Sequence, residues 1–418
     1  MSAPAVDTTA ARRTPSATKR GPGLSLLLVA LVSLGPVSTD LYLPSLPAIG
    51  ADLSASADMV QLTVGLFIAG FAVMMLFCGP LGDRFGRRPV LLGGLGIFFI
   101  GSLACALAPT IHWLLAARFL QAIGACVGPV LGRAIVRDLY PPDMAARVLS
   151  YMAGAMALAP LVAPFLGGWL VVHFDWRACF YALALIALLV GVALYVRLGE
   201  TSPGQVHDAL RPARLLHHYR ALLADRVYLG YAICVALSFG ALFTWISNAS
   251  IVIMDNFGVR ADHFARYFGV VVLGYVVGAF TIGRFGHHLG IWRAMKTGGL
   301  LALVGAVTLN LALLFDSASL PLIIAAMAMA FFGFAFVLPQ ATAGGLAEYP
   351  HKAGMAAALM GFLQMSTGFT INALSSLLYD GSPWPMAVLL ALSVSGMLVA
   401  TFTLVRPRDA SVRPKQAE

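Results

Sequence analysis

Charged residues are scarce in this chain. Asp, Glu, Lys and Arg make up 11% of its 418 residues, whereas soluble domains carry about 25%. Hydrophobic residues make up 60%, and the mean hydropathy is +0.86. A water-soluble fold of this composition would expose large apolar patches. The composition therefore excludes an ordinary soluble protein and favours one that is solvated by lipid.

Motifs for metals, nucleotides and common nucleophiles are also missing. The five cysteines lie inside apolar stretches with no C-x-x-C spacing, which argues against a metal site or a disulfide framework. The chain has no G-x-x-x-x-G-K-[ST], H-E-x-x-H or G-x-S-x-G motif. We therefore expect no metal, no cofactor and no catalytic residues. An intramembrane enzyme would need clustered ligands or nucleophiles at one depth, and a sensor or scaffold would need an appended domain.

Long apolar runs dominate what is present. Each is long enough to cross a bilayer, and in lipid only a helix can satisfy its own backbone over such a length. Twelve are found, at residues 22–46, 58–80, 89–108, 112–136, 146–172, 176–197, 227–254, 265–286, 294–315, 319–346, 353–379 and 384–405. The predicted fold is an all-α membrane protein with twelve transmembrane helices in two pseudo-symmetric six-helix bundles. The predicted segments are a tail (1–21), a bundle (22–197), a linker (198–226), a bundle (227–405) and a tail (406–418).

The distribution of Lys and Arg predicts the orientation. If the N-terminus is inside, the inner segments hold 22 of the 27 basic residues and the outer segments hold three. Cytoplasmic loops of membrane proteins carry such an excess. We therefore predict that both termini and the 198–226 linker are cytoplasmic.

Ionisable residues inside the predicted spans are the first candidates for function. Asp40 falls late in the first span and Arg118 early in the fourth, each about 10 Å from the outer face at 1.5 Å per residue. A charge in a span costs at least about 2.5–3.5 kcal/mol, so it needs a partner or a wet cavity. The two can meet if both helices face one cavity. We interpret Asp40 as the group that loads a proton and Arg118 as the fixed charge beside it; a static ion pair is the alternative.

Arg133 lies about 22 Å deeper than Arg118 in the same span. Two readings stay open for it, an interfacial anchor or a part of the inner gate.

Neutral polar and aromatic residues in the spans are candidates for the substrate pocket. Each polar one either lines a wet pathway or ties two helices together. The predicted substrate-binding set is Tyr42, Gln121, Phe239, Phe243, Asn248 and Gln340. Gln61, Gln364 and Asn372 are further neutral polar residues in the spans, and Trp245 is a further aromatic residue.

The strongest motif lies between the second and third spans, where residues 79–91 read GPLGDRFGRRPVL. Its glycines permit a tight inner turn, its acid can bond helix-end donors, and its arginines suit anionic headgroups. The predicted cytoplasmic gate residues are Gly79, Asp83, Arg84, Gly86, Arg87 and Arg88.

This loop resembles the hallmark motif of the major facilitator superfamily, and the twelve-helix plan extends the resemblance over residues 22–405. Residues 118–125 (RFLQAIGA) resemble the family's helix 4 motif, which is implicated in proton coupling in relatives. In the fifth span, Pro164, Gly167 and Gly168 resemble its antiporter motif, with alanines at two usual glycine positions. Residues 283–288 (GRFGHH) resemble a copy of the first loop that lacks the acid.

Residues 39–44 (TDLYLP) resemble the first-helix motif of the Bcr/CflA drug-resistance transporters, a group that includes chloramphenicol, florfenicol and bicyclomycin exporters. The resemblance implies a monomer in a bacterial inner membrane that exports small, largely apolar drugs in exchange for protons. It implies no nucleic-acid partner, and the proton gradient would supply the energy. A proton-coupled symporter that imports its solute on the same scaffold is the alternative.

Overall fold

The computed structural model describes residues 22–202, residue 204, and residues 212–349 and 353–405. Within these ranges the chain forms fourteen α-helices, a 3₁₀ turn at Leu43–Ser45 and a π-helical segment at Ile251–Asn256. The helices are α1 (Pro22–Asp40), α2 (Leu46–Asp52), α3 (Ala57–Phe85), α4 (Arg87–Ala106), α5 (Ile111–Ala125), α6 (Val127–Leu139), α7 (Pro142–His173), α8 (Arg177–Arg197), α9 (Pro212–Ala224), α10 (Arg226–Ser250), α11 (Ala261–Leu314), α12 (Leu320–Ala347), α13 (Ala353–Leu377) and α14 (Trp384–Thr403). The predicted tails at 1–21 and 406–418 lie outside the described residues.

Twelve stretches of the described helices are long and apolar enough to cross a membrane, as predicted. The first span combines α1 with α2, the fourth combines α5 with α6, and the seventh combines α10 with the π-helical segment. The eighth and ninth spans are both in α11, whose backbone leaves the helical region at Gly290, where φ is +72°. Glycine adopts this backbone conformation without a steric penalty, so a single residue is enough to change the direction of the chain between the two spans.

The helices pack as two groups of six spans that face each other. In the first group, α1 packs on α7, α3 on α5, and α4 on α5 and α8. In the second group, α10 packs on α12, α13 and α14, and α11 packs on α12 and α14. The groups meet chiefly where α3 contacts α13 and where α7 contacts α11. The predicted all-α fold of two six-helix bundles is confirmed.

Apolar side chains cover much of the outer surface. Val196, Phe280 and Leu392 are 76%, 75% and 64% exposed, and many other large apolar side chains are similarly open. Such a surface is unfavourable in water and fits a lipid environment. The molecule is therefore a multi-pass membrane protein.

The second membrane helix is longer than the sequence indicated. The predicted inner turn began at Gly79, but α3 continues through Pro80 to Phe85, and Gly86 alone breaks the backbone before α4. A proline removes one backbone hydrogen bond, which a membrane helix tolerates where neighbouring groups compensate. We call the end of the molecule that carries Gly86 and Arg88 the basic end, and the end that carries Asp52 and Arg177 the opposite end.

Candidate functional site

The first span is interrupted near the opposite end. Its helix stops at Asp40, and a 3₁₀ turn follows before α2 begins at Leu46. Pro44 and Pro47 have no backbone N–H, so this segment lacks two of the hydrogen bonds of a regular helix. The interruption holds the Tyr42 side chain in the interior, where its hydroxyl lies 3.2 Å from the hydroxyl of Thr63.

Arg118 is fully buried beside this interruption. Its Nη1 donates hydrogen bonds to the backbone oxygen of Ser38 at 3.2 Å and to Oε1 of Gln121 at 2.6 Å. Its Nε and Nη2 have no hydrogen-bond partner within the described residues. The guanidinium carbon lies 4.2, 4.3 and 5.8 Å from the ring centroids of Tyr42, Phe67 and Phe180. Since a desolvated cation over aromatic faces gains about 2 kcal/mol or more, these rings take over part of the role of water.

Asp40 ends α1 two residues after Ser38, whose backbone oxygen binds Arg118, but within the described residues it forms no ion pair with the arginine. The carboxylate is 3% exposed, and among the described residues it has neither a hydrogen-bond nor a salt-bridge partner. The prediction that these two charged groups could meet is therefore not fulfilled in this arrangement. The contact with Ser38 shows that the two helices do approach each other at this depth. The rings and Gln121 hold the guanidinium in an orientation in which it binds a backbone oxygen. The sequence gives the depth of Arg118 along its helix but not this orientation.

Gln121 supports Arg118 from the other side. It accepts the arginine's hydrogen bond through Oε1 and donates from Nε2 to Ser102 Oγ at 2.8 Å. Ser102 in turn donates to the backbone oxygen of Phe98. A chain of hydrogen bonds thus fixes the guanidinium against the third span. Gln121, the middle member of this chain, is fully buried.

The predicted antiporter motif lies against the interruption. Gly167 in α7 faces the backbone oxygen of Leu41, and a Cβ added to it would overlap that oxygen. A Cβ on the adjacent Gly168 would lie 2.6 Å from the backbone oxygen of Ala261 in the second bundle. Pro164 lies inside α7, one turn earlier. The two glycines therefore allow one helix to contact both the first span and the opposing bundle.

The predicted substrate-binding residues do not form one cluster. Tyr42 and Gln121 adjoin Arg118, whereas Phe239 and Phe243 stack on each other along α10 with ring centroids 5.5 Å apart. Gln340 lines a separate groove near Gly286 and Gly290.

Asn248 belongs to a polar cluster between the bundles, which we call the polar latch: Gln61, Asn248, Ser375 and Ser376. Gln61 donates to Asn248 Oδ1 at 2.8 Å and accepts from Ser376 at 3.1 Å, while Asn248 donates to Ser375 at 3.0 Å. All four side chains are buried. Nearby, the Ser250 hydroxyl donates to the backbone oxygen of Leu43 in the first bundle. These bonds join the bundles in the half of the molecule nearer the opposite end.

The predicted gate residues form a network at the basic end. Arg87 contacts Asp83 at 2.7 Å and Asp138 at 3.4 Å. Arg88 donates to the backbone oxygen of Tyr195 at 2.8 Å, and Arg84 lies over the ring of Phe85. A Cβ on Gly79 would meet no neighbour within 4 Å, so close approach does not require a glycine there.

Glu200 completes this network, and sequence reasoning missed it. Its carboxylate accepts hydrogen bonds from the backbone nitrogens of Arg87 at 2.9 Å and Arg88 at 3.3 Å. It thereby caps the N-terminus of α4, where free N–H groups attract an anion. Gly86, with φ of +100°, has no side chain that could cap the helix, and a Cβ at this position would press against Glu200. The only hint in the sequence is an acid three residues after the end of the sixth span.

Relatives of the chain are named as resistance proteins and transporters. It is 33% identical to an uncharacterized MFS-type transporter, YdgK, of Bacillus subtilis, over 92% of this chain and 96% of that protein. It is 31% identical to a bicyclomycin resistance protein homolog of Haemophilus influenzae, over 86% of this chain and 90% of that protein. It is 29% identical to the multidrug resistance protein MdtL of Escherichia fergusonii, over 89% of this chain and 93% of that protein. The resemblance to Bcr/CflA-type transporters is thereby confirmed.

A solved structure shares the fold. The D-xylose-proton symporter aligns with a TM-score of 0.71 at 16% identity, covering 92% of this chain and 97% of that one. The profile of the Major Facilitator Superfamily matches residues 26–371. The twelve membrane helices, the matched profile and the relatives all indicate the same family. The chain belongs to the Major Facilitator Superfamily.

Proposed function

We propose that this protein exports small, largely apolar drugs across a bacterial inner membrane in exchange for protons. The observation that carries the proposal is Asp40, a buried carboxylate without a partner, two residues from the oxygen that anchors Arg118. Its relatives named for bicyclomycin and multidrug resistance support drugs as the substrate class. The proton gradient supplies the energy, and no cofactor takes part.

Asp40 and Arg118 act as the proton switch in this proposal. An ionised carboxylate buried without a partner is strongly unfavourable, and either a proton or a cation removes that cost. Arg118 has donors left for the carboxylate, because its Nε and Nη2 have no partner in the described part of the chain. A proton on Asp40 and an ion pair with Arg118 are therefore two alternative ways to satisfy the carboxylate. Drug binding from the cytoplasm accompanies the second.

The membrane potential can supply the energy for the proposed export. A proton that moves inward on Asp40 yields about 2.3 kcal/mol per 100 mV, which can drive a neutral drug outward against its gradient. The polar latch and Ser250 join the bundles near the opposite end. We therefore interpret this structure as a state that is closed to the outside, with the basic end and both termini in the cytoplasm.

The test uses everted membrane vesicles that hold an acidic interior and a fluorescent pH probe. We expect bicyclomycin or chloramphenicol, added outside, to enter the vesicles and to release protons. Asp40→Asn should abolish both signals, whereas Asp58→Asn, an exposed carboxylate in the first turn of α3, should leave them unchanged.

Export against a gradient by well-expressed Asp40→Asn protein would refute the proton role. A symporter would behave differently in the same vesicles, because external solute would not discharge the acidic interior. That result would reverse the assigned direction of transport.

A further inference from the structure

Arg133 is a charged residue of the first bundle that the proposed proton switch does not use. In the described spans of this bundle, the charged residues that lie more than five positions from either end of a span are Asp40, Arg118 and Arg133. The first two form the switch, whereas Arg133 has no salt bridge to a carboxylate within the described residues. A charge inside a span is costly, so the presence of Arg133 needs an explanation.

The Arg133 side chain folds back along its own helix. Its Nε donates a hydrogen bond to the backbone oxygen of Pro129 at 2.6 Å, one turn earlier. Because α6 runs toward the basic end, where Asp138 meets Arg87, this bond leads the side chain toward the middle of the membrane. An arginine that anchors a span at the interface extends the other way, toward the headgroups. The geometry therefore supports a place in the inner gate over an interfacial anchor.

Arg133 lines a recess between the bundles. In α6, Val127 and Leu131 face α4 and α3, and Gly128 faces α1. Arg133 lies on the face of the helix that these neighbours leave free. Since α4, whose neighbours are helices of the first bundle, covers the opposite face, the free face points toward the second bundle. The Arg133 side chain is exposed, yet protein atoms surround it on most sides, as in an open recess.

A second positive charge lies beside Arg133. Arg137 follows one turn nearer the basic end on the same face of α6, is also exposed, and its charge acts on that of Arg133. Asp138, the next residue along the chain, contacts Arg87 instead. Like charges repel each other, and the low-dielectric walls of a recess strengthen their field. The recess therefore holds a positive potential.

We propose that Arg133 and Arg137 form a charge filter at the cytoplasmic entrance, which admits neutral and anionic drugs and rejects lipophilic cations. The inference rests on the proposed function, because the recess is the drug entrance only if the basic end faces the cytoplasm. The polar latch and Ser250 join the bundles at the other end, so a drug that reaches Arg118 first passes Arg133. A cation would meet these positive charges in turn, whereas a neutral drug meets no such barrier.

A reporter cysteine measures the potential in the recess without any transport. In a version that lacks the five native cysteines, Val130→Cys places a thiol one turn from Arg133 on the same face. Everted vesicles are treated with an anionic or a cationic methanethiosulfonate reagent of similar size. We expect the anionic reagent to react faster. Arg133→Gln should lower the ratio of the two rates about tenfold, the factor that a unit charge about 6 Å away in water gives for reagents of opposite sign.

Arg293→Gln is the matched control, because Arg293 is exposed on α11 in the other bundle and should leave the ratio of rates unchanged. If neither reagent reacts with Val130→Cys, this face is closed to water and the charge filter is wrong. An unchanged ratio in Arg133→Gln would overturn it as well. Both results leave the exchange of drug for protons standing. A lowered ratio in a protein that exports no drug would support the charge filter and refute the proposed function.

Binding to the purified protein provides a second measurement, with chloramphenicol as the neutral probe and tetraphenylphosphonium as the cationic one. We expect Arg133→Glu to raise the affinity for the cation relative to the neutral drug at least about tenfold, because it reverses the sign of the charge that the cation passes. Arg293→Glu should leave the ratio of affinities unchanged. A parent protein that already binds tetraphenylphosphonium as tightly as the Arg133→Glu variant would contradict the charge filter.

Discussion

At the scale of single residues, the site depends on how Arg118 is held. Its charge rests against three rings and a glutamine, and its anchor on the first span is a backbone oxygen. Sequence reasoning identified Arg118 and Asp40 because charges are rare in spans. It could not foresee the surrounding rings or their effect on the rotation of the guanidinium, since Phe67 and Phe180 carry no signal that separates them from other core phenylalanines.

Gly86 offers a prediction at this scale. We expect Gly86→Ala to destabilise the protein by about 1–3 kcal/mol, because its φ of +100° is unfavourable for any residue with a Cβ and because the methyl group would displace Glu200. The measurement is thermal unfolding in detergent. Gly79→Ala is the matched control, since nothing lies within 4 Å of its added Cβ and alanine favours a helix. Equal unfolding temperatures for the two variants would contradict this account.

At the scale of elements, helix ends carry most of the specific interactions. The sequence predicted that twelve helices exist, because long apolar runs have few alternatives in lipid. It misplaced the end of the second helix at Pro80, since composition does not show whether a neighbouring group compensates for a missing N–H. It also missed the cap on α4, because Glu200 and Arg87 are far apart in the chain and meet only after the bundle has formed.

The cap on α4 can be tested separately. Glu200→Gln keeps the shape of the side chain but removes the charge that two backbone N–H groups and the helix dipole attract. We expect a loss of stability of about 0.5–2 kcal/mol, the usual range for a helix cap. Glu200→Asp should lose a similar amount, because the shorter side chain cannot reach both nitrogens. Thermal unfolding of the three proteins measures this, and an unchanged unfolding temperature for both variants would refute the capping role.

At the scale of the whole molecule, the arrangement of two bundles could be predicted and the interface between them could not. Six spans on either side of a hydrophilic stretch indicate the architecture. Gln61, Asn248 and Ser376 come from three distant segments, and each alone looks like any polar residue in a membrane helix. Their meeting depends on the relative rotation of both bundles, which no local pattern encodes.

The orientation of the molecule is a prediction at this scale. Single cysteines at Ala221 in α9 and at Ser319 before α12, both exposed, mark the basic and opposite ends. A membrane-impermeant thiol reagent should label Ser319→Cys in intact cells and Ala221→Cys only in everted vesicles. The excess of Lys and Arg at the basic end is the physical reason. The reverse pattern would place the termini outside and would also reverse the proposed direction of drug transport.

The anchor of Arg118 on Ser38 has a consequence for the proposed drug export. Because the acceptor is a main-chain oxygen, no substitution at position 38 deletes it, short of altering the fold of the first span. If the protein exports drugs as proposed, substitutions in the rings and in the neighbouring spans can alter the range of drugs while this attachment stays in place. Such variants would keep the same buried positive charge, and new compounds would have to be accommodated around it.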